Sequence, residues 1–235
     1  MHRLLLLLAS LFCAVSVCAQ DTDFFTDPSL LQPWDDTPFE LRYLHPDMEK
    51  IGPRYNAVMV DQPEIHIAAD SRYKGAKGDH LKQLADAGRM AMVDRIESGG
   101  DWKVVDEPGP DVVYFKWAIS ELYLKKKKKK RGILSYTPVG MVVHATSQAA
   151  VRDLWEKMDI VELDLMVEFS DSLTGEVLSA GVTHEGQKKE LVSWQQLNAL
   201  FQTIGEQTRC RLDNNKLADS DKRGDCVGIE VEPVM

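Results

Sequence analysis

The sequence predicts an α+β fold: a mostly antiparallel sheet of about four to six strands with two main helices packed on one face. Two patterns predict it. Residues 111–124 and 160–169 alternate apolar and polar side chains, the mark of strands with one buried face. Residues 79–97 and 193–211 instead repeat their apolar positions at helical spacing.

The elements follow in order. Residues 20–54 carry Pro28, Pro33, Pro38, Pro46 and Pro53, which block long helices and central strands, so an irregular arm is expected there. Trp34, Phe39, Leu41 and Tyr43 could pin that arm to the domain surface. The domain begins at Tyr55. Residues 57–60 form a strand signal that resumes at Ile65 and Ile67 after Pro63. Asp79 is placed to cap a helix carrying Leu81, Leu84, Gly88, Met92 and Ile96, which Gly99 and Gly100 end. Residues 102–105 form a short strand, and 107–110 a turn.

The strongest strand, 111–124, sets Val113, Phe115, Trp117 and Ile119 on one face and Tyr114, Lys116 and Ser120 on the other. Residues 132–158 show no dominant period; a loop or hairpin and a short helix over 147–157 are the expectations. In the strand 160–169, Val161, Leu163, Leu165, Val167 and Phe169 point one way, and Glu162, Asp164 and Glu168 the other. Residues 171–175 turn the chain into a partner strand over 176–183. Ser193 and Gln196 fit a capping box, and Trp194, Leu197, Phe201, Ile204 and Thr208 line one stripe of the last helix. Val227, Ile229 and Val231 suggest a short final strand.

The first nineteen residues read as a secretory signal peptide. Arg3 gives the positive start, an apolar run follows, and Val17-Cys18-Ala19 ends it with the small residues of a cleavage site. The run is too short to span a bilayer comfortably, and no other segment is long and apolar enough to do so. Cleavage after Ala19 would give a periplasmic or secreted protein. The alternative is a lipoprotein anchored through Cys18, although Val17 is a poor fit before a lipidated cysteine. The formal net charge of −9 argues against general nucleic-acid binding, which needs clustered cations.

Cys210 and Cys226 remain once the signal is removed. In an oxidising compartment such a pair reads as a disulfide, tying a tail of residues 213–235 back onto a domain of residues 55–212.

Lys125, Lys126, Lys127, Lys128, Lys129, Lys130 and Arg131 open a basic and then apolar insertion over residues 125–158. Like charges in a row repel and stay solvated. They suit contact with an anionic membrane surface or an envelope protein; a solvated loop is the plainer reading.

Other motifs carry less. Residues 171–175 resemble an aspartic-protease loop only in composition, and a second carboxylate loop is missing from the sequence. Asp219, Asp221, Gly224 and Glu230 hold calcium-loop positions, but Arg223 stands where an oxygen ligand belongs. His45, His66, His80, His144 and His184 show no metal-binding spacing. The sequence gives no reason to expect a metal or a cofactor.

Four stretches share a further likeness: residues 55–61, residues 107–113, residues 168–178, and Trp194 at the helix start. Together they resemble the domain of unknown function 3313 family of exported bacterial proteins, many of them lipoproteins. The likeness covers about residues 50–212. It implies an exported protein and assigns no catalytic residue. The poor lipidation site, the lysine run and the cysteine-bearing tail depart from the family's pattern. The expectation is a non-enzymatic envelope protein that binds a partner or the membrane surface. The alternative is an enzyme acting on an envelope component through a site not visible as a motif.

Overall fold

The computed structural model describes residues 22–34, 39–73, 75–126, 158–183, 194–217 and 226. The signal segment with Cys18, Lys127 to Arg131, the insertion up to residue 157, His144, His184, Ser193 and the calcium-like stretch lie outside them, as does the expected last strand.

Among the described residues, eight strands form one mostly antiparallel sheet, more than the sequence predicts. They are β1 (Gln32–Pro33), β2 (Phe39–Leu44), β3 (Ala57–Val60), β4 (Glu64–Ile67), β5 (Lys103–Val104), β6 (Val112–Lys126), β7 (Met158–Asp171) and β8 (Val177–Thr183). Among the described residues the α-helices are α1 (Met48–Ile51), α2 (Gly78–Ser98) and α3 (Trp194–Asn214). The strand order is β1-β2-β8-β7-β6-β3-β5, and β4 also pairs with β6.

β6 is the spine. One edge pairs antiparallel with β7. The other edge carries β3 and then β4, end to end and both parallel to it. That parallel part follows from α2, which lies between β4 and β5 in the chain: a crossover helix returns the chain in the direction it left. Where β4 stops, Ser71 continues the edge with its side chain. The Leu124 N–H donates to Ser71 Oγ at 3.0 Å, and the hydroxyl donates to Leu124 O at 3.1 Å.

Alternation along β6 breaks once. Glu121 sits at φ 49°, and the register with β7 shifts between Ser120 and Tyr123. This β-bulge changes the parity, so Leu122 and Leu124 face the same core as Phe115, Trp117 and Ile119.

The main core joins that face to Leu84, Met92 and Ile96 of α2 and to Leu197, Phe201 and Ile204 of α3. Gly88 of α2 lets the helix approach Trp117, since a Cβ there would lie 2.9 Å from the indole Cη2. Phe201 meets the same indole edge-on, with ring centroids 6.4 Å apart. α2 begins at Gly78 rather than being capped by Asp79. The Lys77 N–H donates to His80 Nδ1 at 3.3 Å, and Asp79 falls in the first turn, where its charge suits the helix dipole.

The expected irregular arm is partly regular. Between Pro38 and Pro46 the chain has room for β2, which pairs antiparallel with β8 and adds an edge to the sheet. The second face is also less solvated than strand alternation suggests. Phe24 and Phe25 cover Ala118, Met166, Val177, Ala180 and Val182 in a second apolar cluster.

Candidate functional site

Among the described residues, polar side chains concentrate at several places, three of them on the sheet. The first is the corner where β7 turns into β8. Asp171 is 5 % exposed. Its Oδ1 accepts the N–H groups of Leu173 (3.0 Å) and Thr174 (2.9 Å), closing the turn that Gly175 completes at φ +73°. Its Oδ2 accepts Tyr55 OH at 2.8 Å and Arg54 Nη2 at 2.9 Å. Burial pushes the carboxyl upward, but the hydrogen bonds from Thr174, Tyr55 and Leu173 outweigh it and hold it below the usual carboxylate range. Beside it, Ser172 Oγ accepts from Gly109 N at 3.1 Å and donates to Gly109 O at 3.0 Å, which latches the loop before β6.

The second place is the arm-covered face. Glu168, 3 % exposed, accepts from Thr26 N at 2.9 Å and from Thr26 Oγ1 at 2.6 Å. Lys116 donates to Phe24 O and lies 4.4 Å from the centre of that ring. Nearby, Tyr114 donates to Asp61 Oδ2, and Trp117 Nε1 donates to Asp61 O at 3.1 Å. Burial, with Asp61 next, pushes the Tyr114 phenol well above its ordinary range.

The third is the sheet's outer edge. Arg42 of β2 stacks 4.9 Å from the Trp34 ring centre and 5.8 Å from that of Phe39. Arg211 of α3 lies 5.0 Å from the Phe39 centre.

Cys210 and Cys226 are joined by a disulfide, with Cα atoms 5.9 Å apart. Closing a loop of this size stabilises the fold by about 3 kcal/mol in the chain-entropy account. Cys226→Ser is therefore expected to lower stability by about that amount in urea unfolding. An unchanged midpoint would show that the tail link carries no stability.

The basic residues are only partly placed. Lys125 and Lys126 extend β6 opposite Asp159 and Met158, in a strand rather than a loop. His45 lies 3.2 Å from a Glu176 oxygen, and His66 lies 2.9 Å from one of Glu64. Among the described residues, no group of three or more His, Cys, Asp or Glu side chains is placed to hold a metal. A hollow lined by Met48, Gly52, Tyr55, Trp102, Leu178 and Leu212 has room for about one water molecule.

Residues 20–208 match the family described as Protein of unknown function (DUF3313). The chain belongs to this family. No curated protein matches the DUF3313 chain in sequence. Solved structures resemble it, and two of them are of one protein. One is a PelC dodecamer from Paraburkholderia phytofirmans, with TM-score 0.35 and 10% identity, covering 73% of this chain and 94% of that one. The other is a point variant of the same dodecamer, with TM-score 0.33 and 10% identity, covering 73% and 93%.

Three of the stretches that carry the DUF3313 likeness, residues 55–61, 107–113 and 168–178, meet in space. Tyr55 reaches Asp171, Asp61 holds Tyr114, Gly109 bonds Ser172, and Glu168 anchors Thr26. These side chains tie turns and strand ends together. Sequence reasoning missed Arg54, Glu168 and Arg42. Arg54 and Glu168 find their partners 117 and 142 residues away, so no local pattern marks them.

Proposed function

We propose that this DUF3313 chain is an exported, non-enzymatic protein of the cell envelope that docks on an anionic membrane surface through residues 125–131. The observation that carries the reading is the ladder between β6 and β7. It runs to Lys125 opposite Asp159 and Lys126 opposite Met158. The basic run therefore starts from a paired strand end, and the segment that follows returns to the same place. A cation near an anionic surface contributes about 1 kcal/mol, so seven clustered cations offset the net charge of −9 locally. On this reading α2 and α3 cover one face of the sheet and the arm covers the other, leaving the strand ends as the contact surface. Cleavage after Ala19 makes the protein periplasmic or secreted; retention of a lipidated Cys18 would place the same surface at the membrane permanently.

The test is co-sedimentation of the chain from residue 20 with vesicles of phosphatidylglycerol and phosphatidylcholine. The wild type is expected to pellet with the anionic vesicles, to stay in solution with phosphatidylcholine alone, and to be released by salt. A variant with residues 125–130 all changed to Gln should remain in the supernatant. Equal pelleting of the two proteins would sink the docking surface.

A further inference from the structure

Residues 22–31 lie across the strands rather than along them. Phe24 O accepts from Lys116 of β6, and Thr26 meets Glu168 of β7. Leu30 and Leu31 then pack in the same cluster as Leu41 and Tyr43 of β2. By Gln32 the chain has reached β1, the outermost strand on that side of the sheet. The arm is built of two 3₁₀ turns, Thr22–Phe24 and Pro28–Leu30, and its ladder bonds begin only at Gln32.

Its grip on the sheet is therefore that of a short bound peptide. Phe24 and Phe25 bury their rings. Both Glu168 oxygens are used, one accepting Thr26 N at 2.9 Å and the other Thr26 Oγ1 at 2.6 Å. The Lys116 ammonium holds the Phe24 carbonyl and lies 4.4 Å from the centre of its ring. Such contacts are strong because one partner is charged or because apolar area is covered. They act equally well whether arm and sheet belong to one chain or to two.

Proximity is what favours the chain's own arm, and for a short linker it is equivalent to a concentration of about 1 mM. The link to β1 runs through Leu31, which is extended at φ −70° and ψ 131°. This link stands at the edge of the sheet, so a turn there sends the arm outward toward a neighbour. Ten extended residues reach about 33 Å. The four strand spacings from β1 to β6 take up about 19 Å of that. Two copies meeting edge to edge can thus each give an arm and receive one, which closes the assembly.

We propose that the arm-covered face is a docking site for the arm of a second copy, with residues 22–31 exchanged between two chains that stand edge to edge at β1. The site is separate from residues 125–131 and does not depend on the membrane reading.

The test is complementation, using the chain from residue 20 refolded from urea with its disulfide intact and sized by light scattering. Phe24→Ser with Phe25→Ser spoils the arm and keeps the face. Glu168→Lys keeps the arm and spoils the face, removing the acceptor of Thr26 and setting a second ammonium opposite Lys116. Each variant alone is expected to be a monomer. Refolded together they should form a heterodimer joined by the intact arm. It should appear at a concentration about tenfold below that at which the wild type dimerises, about 1 mM, because the intact face then has no competing arm of its own. A second measurement leaves the face unchanged. A spin label on Ser29→Cys, an exposed arm position, should broaden the β7 and β8 amide signals of isotope-labelled wild type refolded with it at about 1 mM. Variants that fold by circular dichroism and stay monomeric when refolded together overturn the proposal. So does a dimer of either variant alone, which places the contact on another surface. If Glu168→Lys does not fold, the spin label decides, and unbroadened wild-type signals overturn the proposal.

Discussion

Asp171→Ala is expected to melt about 10 °C below the wild type at neutral pH, corresponding to about 4 kcal/mol for a chain of this size. The carboxylate is buried and serves four donors: two turn amides, the Tyr55 hydroxyl and the Arg54 guanidinium. Truncation strands all of them at once. Most of the loss comes from the turn amides and the buried Tyr55 hydroxyl, because the Arg54 side chain is 46 % exposed and its ion pair is screened by water. The pH dependence has a definite sign. The folded carboxyl is held below its unfolded value of about 3.9, so its contribution is complete above that pH and is lost as the pH falls through the depressed folded value. The gap between wild type and Asp171→Asn should thus be widest near neutrality and close in acid. Calorimetry across pH checks both points; a gap that stays constant into acid would remove the carboxylate's charge from the account.

Trp117→Ala is expected to cost about 4 kcal/mol in urea unfolding. The indole is 1 % exposed, parallel to Phe115 and edge-on to Phe201, and its N–H is satisfied by Asp61 O. Gly88 makes the effect diagnostic. Gly88→Leu alone should destabilise, since its Cβ would press on the indole. In the Trp117→Ala background the same substitution enters the space left behind and should recover part of the loss. The two changes are then coupled with opposite sign to simple addition. Additive losses would mean that α2 does not sit on Trp117 as described.

Much of the sheet was legible because strand period and burial coincide. Phe115, Trp117 and Ile119 face the core as their spacing demands. Leu122 and Leu124 do not follow that spacing, because the bulge at Glu121 inverts it, and no residue type announces a bulge there. The parallel pairing of β3 and β4 was hidden for another reason: short strands carry no sign of their direction until a crossover such as α2 is in place. β2 was concealed by the prolines around it, and the buried Glu168 by its charge, which marks a solvent-facing position unless an arm from elsewhere covers it. The cysteine pair was the legible part of the candidate sites. Arg42 was not, because the Trp34 and Phe39 rings that it meets come together only in the folded chain.

The bond between Thr26 and Glu168 joins residues 142 positions apart. Translation makes the arm early and its anchor late. Phe24 and Phe25 must therefore wait, uncovered, until β7 and β8 exist to receive them, and β2 waits likewise for β8. A segment made well before its anchor is thus among the last to settle, and slow contacts of this kind lengthen the time for which a growing chain exposes apolar surface. A protein built this way leaves its arm uncovered until β7 and β8 are in place, and covers it by its own docking.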